Sequence, residues 1–273
     1  MEAVRRLNAA GLAATLDFLG EGVTSAALAE ASGQAYIRIL DAIREHRLLS
    51  HLSLKLTQLG LDIDDALCRA ILRRILERAG DTFVRIDMES SRYTDRTLRL
   101  FEDLWGEGYR NVGVVIQSYL RRSAADVERL IQLGARVRLV KGAYAEPASV
   151  AFPRKRDVDR SYARLAERLL LGGVYPAIAT HDERLIAHAI RTADRHGIGP
   201  DRFEFQMLYG IRRDLQIHLL RRGYRVRVYV PFGEEWYPYL MRRLAERPAN
   251  VVFVLASVLR ERRVRDGDGP AAR

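Results

Sequence analysis

Residues 82–90, TFVRIDMES, alternate apolar and charged side chains: Val84, Ile86 and Met88 share one face, and Arg85, Asp87 and Glu89 share the other. A strand of this kind is buried on one side and polar on the other. HLSLKLT (51–57) repeats the pattern, with Ser53, Lys55 and Thr57 opposite Leu52, Leu54 and Leu56. The same split isolates Gln117 and Tyr119 in NVGVVIQSY (111–119) and Arg138 in RVRLVKGAY (136–144). It isolates His181 in VYPAIATHD (174–182), and Arg227 and Tyr229 in YRVRVYVPFG (224–233). With LAATLDFLG (12–20) and FEFQMLYG (203–210), eight such runs follow one another down the chain.

Helical patterns lie between them: residues 24–46, 64–80, 123–134, 161–173, 183–197 and 212–223. Strand alternating with helix implies right-handed crossovers and a parallel sheet. Eight units in roughly 250 residues is the size of a closed (β/α)8 TIM-type barrel. An open doubly wound sheet is the structural alternative. It would ordinarily carry a glycine-rich phosphate loop after the first strand, and LDFLGEGVT lacks the third glycine in register. The barrel reading gives a single domain over residues 1–262, with a disordered tail at 263–273 where Arg, Gly, Pro and Asp mix without apolar period.

Composition narrows the function. The chain has 273 residues, 48% of them hydrophobic, enough for one large core. It shows neither a run of about twenty apolar residues nor a signal-peptide pattern, so a cytoplasmic protein is expected. One cysteine, Cys68, excludes a disulfide framework and a cysteine zinc site, and no metal site is expected. A net charge of +10 raises the question of nucleic acid, but the arginines are dispersed beside Glu and Asp on helix faces. Nucleic-acid binding is therefore not expected; weak peripheral attraction to the anionic inner face of the cell membrane fits the charge better.

Lysine usage is more telling. Only Lys55, Lys141 and Lys155 interrupt an otherwise all-arginine choice of cation, and two of the three sit in strand-like segments. A barrel brings polar groups at strand C-termini to one mouth, where active sites of this fold lie. Structural ion pairs also occur inside barrels, so each of Lys55, Asp87 and Arg138 taken alone has a purely architectural reading. Together with Gln117, His181 and Tyr229 they exceed what filling an interior requires. Beyond the last strand, residues 234–250 read as a helix over that mouth. It opens with Glu234 and Glu235 and carries Arg242 and Arg243 side by side, Tyr239 one turn before and Glu246 one turn after. A guanidinium pair there is suited to a small carboxylate.

FVRIDMESS, VGVVIQSY, VRLVKGAYAEP, PAIATHD, FEFQMLYG and YLMRRLAE, in this order, resemble the strand-end motifs of the proline dehydrogenase family. These are FAD enzymes that also form one domain of the bifunctional proline utilization A flavoproteins. The resemblance runs from LDFLGE to PANVVFV. It implies oxidation of L-proline to 1-pyrroline-5-carboxylate, the first step of proline catabolism to glutamate, by hydride transfer to flavin N5, with electrons passed to a membrane quinone. It implies catalytic positions at Asp87 and Arg138, and a grip on the proline carboxylate by Lys55, Arg242 and Arg243. Leu208, Tyr229 and Tyr239 match the walls around the substrate ring. Glu21 matches an acid that pairs with the first of the two arginines over the closed site. Met88, Gln117, Arg138, the run Lys141, Gly142 and Ala143, and the pair Thr180 and His181 match positions that bind FAD.

Hydride loss needs an uncharged amine and good orientation, so activity is expected to rise with pH until the amine is deprotonated. Asp87 is expected to orient Lys55 or Arg243 rather than to act as a base. Gly142 is expected to let the cofactor approach the backbone. The two cations of VRLVKGAY are expected to face Asp87 and an anionic cofactor. Members of the family usually carry extra helices before the barrel, whereas the first strand is expected here at Leu12–Leu19, and the gene regulation and second oxidation step of the bifunctional relatives are not expected of this chain. Two other functions stay open on the residues: a barrel lyase or aldolase using Lys55 or Lys141 as a Schiff-base amine, and a basic nucleic-acid-binding module. Oligomeric state is not legible.

Overall fold

The computed structural model describes residues 1–20 and 22–233. Each of the eight alternating runs contributes one strand. They are β1 (Ala13–Phe18), β2 (Ser50–Leu54), β3 (Val84–Ile86), β4 (Val112–Gln117), β5 (Val137–Val140), β6 (Ala177–Ala179), β7 (Glu204–Leu208) and β8 (Arg225–Phe232). All pair in parallel in chain order, and β8 closes on β1 from Ala13↔Arg227 to Phe18↔Phe232. The architecture is the expected (β/α)8 barrel.

Helices α1 (Glu2–Ala9), α2 (Ala26–Glu45), α3 (Asp65–Ala79), α4 (Ser91–Gly106), α5 (Ser123–Gln132), α6 (Lys155–Gly172), α7 (Glu183–Arg195) and α8 (Arg213–Arg221) flank the strands. Two of them were not legible in the sequence. α1 buries only Val4, too little for a periodic stripe. The inward face of α4 is partly written in Thr94 and Thr97, so its period is masked until Leu98 and Phe101. Side-chain caps start three helices: Ser25 Oγ accepts from Leu28 N, Asp64 Oδ1 from Leu67 N, and the Asp182 carboxylate from Arg184 N. Among the described residues no helix is long and apolar enough to cross a membrane.

Alternation divides each strand as expected. Leu16, Leu52, Leu54, Val84, Ile86, Val114, Leu139, Ile178, Phe205 and Val228 point outward and are buried under the helices. Each such side chain contributes about 2 kcal/mol by its removal from water. Gly33, inside α2, lets that helix approach α3: a Cβ there would stand 2.6 Å from Ile71 Cγ2. The inward faces are polar through most of the barrel's depth. On the deeper side Arg85 donates to the Val114 and Arg136 carbonyls, and Arg227 pairs with Glu204 at 2.8 Å. Gly113 of β4 makes room for this, since a Cβ there would lie 2.7 Å from Arg85 Nη1.

Candidate active site

Toward the C-terminal end of the strands the inward side chains form one connected group. The Asp87 backbone N–H donates to the Leu54 carbonyl at 2.8 Å, holding the residue at the end of β3. Its carboxylate accepts from Arg138 Nη1 at 2.6 Å, Ser53 Oγ at 2.8 Å and Tyr229 Oη at 2.8 Å. Arg138 also donates through Nε to Gln206 Oε1 at 2.6 Å, and its guanidinium carbon lies 5.2 Å from the centre of the Tyr229 ring. Arg138 is 5% exposed, so its charge is compensated inside the protein. Three candidates from three strands, Asp87, Arg138 and Tyr229, thus touch one another.

Lys55 belongs to the same mouth but to a different partner. Its Nζ lies 3.3 Å from Asp17 Oδ2, a carboxylate of β1 with no solvent exposure. Of the two cations that Asp87 is expected to orient, Lys55 takes Asp17 instead, Arg243 lies outside the described residues, and Asp87 accepts from Arg138, Ser53 and Tyr229. Burial pushes the Asp17 carboxyl above the usual carboxylate range, and the Lys55 ammonium opposes that push.

On the β4–β6 side, Gln117 is buried and donates through Nε2 to the Glu89 carbonyl at 2.7 Å. The Glu89 carboxylate accepts from both the backbone N–H and the hydroxyl of Thr57. Lys141 leaves the end of β5 and lies 2.6 Å from Asp159 and 2.9 Å from Asp182. Of the two cations of VRLVKGAY, Arg138 has Asp87 opposite it as expected, while Lys141 faces carboxylates of α6 and of the α7 cap. Gly142 has φ +110°, and a Cβ on it would stand 2.3 Å from Cδ1 of the Tyr119 ring. The Tyr119 ring by itself therefore requires glycine at this position. Ala143 follows in the same half-buried turn.

Thr180 Oγ1 accepts from the Asp182 N–H at 3.1 Å. His181 Nε2 accepts from the Leu208 N–H at 2.9 Å, which leaves the ring proton on Nδ1. Burial, helped by the Arg212 cation, lowers the His181 pKa to about 4. Leu208 is half-buried at the end of β7, and Met88 is buried in the main core. Glu21, Tyr239, Arg242 and Arg243 lie outside the described residues, as do the helix expected over the mouth and the tail at 263–273.

Residues 1–256 match the family model described as proline dehydrogenase. The chain belongs to the proline dehydrogenase family. Proline dehydrogenase 2 of Bacillus subtilis (strain 168) is 45% identical over 260 residues, covering 94% of this chain and 86% of that protein. A proline dehydrogenase of Deinococcus radiodurans is 45% identical over 266 residues, 95% of this chain and 86% of its own. Among solved structures, proline utilization A (PutA) from Bdellovibrio bacteriovorus, inactivated by N-propargylglycine, superposes with a TM-score of 0.82 at 28% identity. That match covers 89% of this chain but only 31% of the PutA chain, so this proline dehydrogenase family member spans less than a third of it.

Three members of the polar interior of this proline dehydrogenase family chain escaped the reading of its sequence. Asp17, Glu204 and Gln206 are buried and hold Lys55, Arg227 and Arg138 respectively. A signal for them existed. Asp17 alternates in phase with Thr15 in LAATLDFLG, and Glu204 and Gln206 stand in phase with Leu208 in FEFQMLYG.

Proposed function

We propose that this chain is a flavin-dependent proline dehydrogenase that oxidises L-proline to 1-pyrroline-5-carboxylate, with FAD as its cofactor and a membrane quinone as onward acceptor. The observation that carries the reading is the meeting of Lys55, Asp87, Arg138 and Tyr229 at one barrel mouth, in a chain that matches the proline dehydrogenase family along residues 1–256.

The donor set fits FAD. Arg138 Nε is committed to Gln206 and Nη1 to Asp87 and Ser53, while Nη2 makes no hydrogen bond among the described residues and remains as a donor for a bound group. Gln117, Arg138, Lys141, Thr180 and His181 would hold the cofactor, and the turn through Gly142 and Ala143 would border it. FAD, when bound, supplies the hydride acceptor. Lys55, with Arg242 and Arg243, would fix the proline carboxylate by charge-assisted bonds worth about 1.5–3 kcal/mol each. Leu208, Tyr229 and Tyr239 would wall the ring, and Glu21 would pair with Arg242 above it. Orientation of this kind is the main requirement of hydride transfer, and Arg138 adds a fixed positive charge beside the site. Asp87 fixes that guanidinium and the Tyr229 hydroxyl; no residue needs to act as a dedicated base once the amine is neutral.

An ion-paired ammonium is not a free nucleophilic amine, and Lys55 and Lys141 are both paired with carboxylates, which weighs against the Schiff-base reading. Purified protein separates the functions. A yellow preparation whose flavin absorption bleaches anaerobically with L-proline is the expected result. Colourless protein that gains no absorption with added FAD refutes the reading. Borohydride trapping of a substrate on lysine points to the lyase, and tight, salt-sensitive DNA binding to the basic module.

A further inference from the structure

We propose that Gln206 is a positioning residue for the reaction: it fixes the Arg138 guanidinium from below and insulates it from Glu204, so that Arg138 directs its charge to the mouth. The inference rests on the reading of Arg138 as a group beside the reacting centre.

The geometry is a relay running down the barrel axis. Gln206 is 4% exposed and stands between a guanidinium and a carboxylate. Its Oε1 accepts from Arg138 Nε at 2.6 Å, and its Nε2 donates to Glu204 Oε1. One amide orientation alone satisfies both neighbours, so the amide is locked at each end. Glu204 is in turn held by Arg227 Nε at 2.8 Å, and Arg227 Nη1 donates to the Ala14 carbonyl at 2.7 Å. Burial works against ionisation of Glu204, but Arg227, the Gln206 amide and Arg85 outweigh it and hold its pKa below the usual range.

Two points fix the plane of a guanidinium. For Arg138 they are Nε on Gln206, from the deep side, and Nη1 on Asp87, from the mouth side. An amide is the residue type this place requires. An apolar side chain would leave Nε unpaired at 5% exposure, and a carboxylate would confront Glu204 while adding a second negative charge to Arg138. As it stands, Asp87 is the carboxylate within ion-pair distance of Arg138 among the described residues, and it lies at the mouth.

The test uses Gln206→Met, which deletes the acceptor, and Gln206→Glu, which keeps it and adds charge. In 15N-labelled unliganded protein, the Arg138 Nε–H signal should be protected from exchange in the parent and in Gln206→Glu, and should exchange at least tenfold faster in Gln206→Met. With flavin bound, Gln206→Met should lower kcat for proline at least tenfold while KM stays within threefold, since the carboxylate grip lies elsewhere. Gln206→Glu should lower the midpoint potential of the bound flavin by about 30 mV, a tenfold change for a two-electron couple.

Unchanged Nε–H exchange together with kcat within twofold of the parent in Gln206→Met overturns the proposal. If that variant does not fold, a parental potential and kcat in Gln206→Glu overturn it equally. A parent that neither takes up flavin nor oxidises proline refutes the proposed function instead, and the exchange comparison then decides the positioning by itself.

Discussion

Replacing His181 by Gln should flatten the acid limb of the stability curve. In the folded protein the imidazole accepts the Leu208 N–H at 2.9 Å through Nε2, which it can do only while neutral at that nitrogen. Burial first, and Arg212 second, lower its pKa from 6.5 to about 4. Because the folded value lies below the unfolded one, the unfolded chain takes up the proton first as pH falls. The stability tied to neutral His181 is complete above about pH 6.5 and is lost progressively as pH falls from there to about 4. Linkage gives a loss of about 2 kcal/mol by pH 5 and about 3 kcal/mol by pH 4. The site is half-buried, so solvent screening makes these upper values.

A Gln side chain can still accept the Leu208 N–H but does not titrate. Urea unfolding of parent and His181→Gln proteins at pH 8, 7, 6 and 5 should therefore give curves that run together at high pH and differ in slope below about 6.5, the parent losing about 2 kcal/mol more by pH 5. That corresponds to about 4–8 °C in Tm for a domain of this size. Slopes that agree within about 0.5 kcal/mol between pH 8 and 5 would refute the reasoning.

Asp87→Ala removes the carboxylate that faces Arg138 Nη1 at 2.6 Å and leaves that guanidinium buried without its counter-charge. The unliganded protein should lose about 3 kcal/mol in thermal or urea unfolding, and a loss under about 1 kcal/mol would show that water already compensates Arg138. Gly142→Ala forces a Cβ onto a backbone at φ +110° and against the Tyr119 ring, so a loss of about 2 kcal/mol or more is expected by urea unfolding. Trimming the ring in the double variant with Tyr119→Ala should restore only part of it, because the backbone strain remains; full recovery would mean that the clash alone makes glycine necessary.

How much was readable follows from the range of each interaction. Strand positions, the helices other than α1 and α4, the outward apolar faces and the polarity of the inward ones were legible because they depend on side chains two to four residues apart. The participants Lys55, Asp87, Arg138, Gln117, His181 and Tyr229 were legible because each breaks an apolar strand on the inward face. Their partnerships were not. Lys55 meets Asp17, 38 residues away, rather than Asp87, and Lys141 meets Asp159 and Asp182, which its own strand gives no sign of.

The amino-acid sequence by itself determined the (β/α)8 barrel, the mouth that gathers the candidate site and the family, since a periodic pattern and ordered motifs are properties of the chain alone. Only the tertiary structure decided which charge answers which. Barrel closure sets a register that brings β5 to Asp87 of the β3 end and to Gln206 of β7, 51 and 68 residues from Arg138. Gly113 on β4 likewise leaves the room for Arg85 to reach the Arg136 carbonyl. Burial then makes each unmatched charge too costly to persist, so the pairing is fixed by what closure brings within reach.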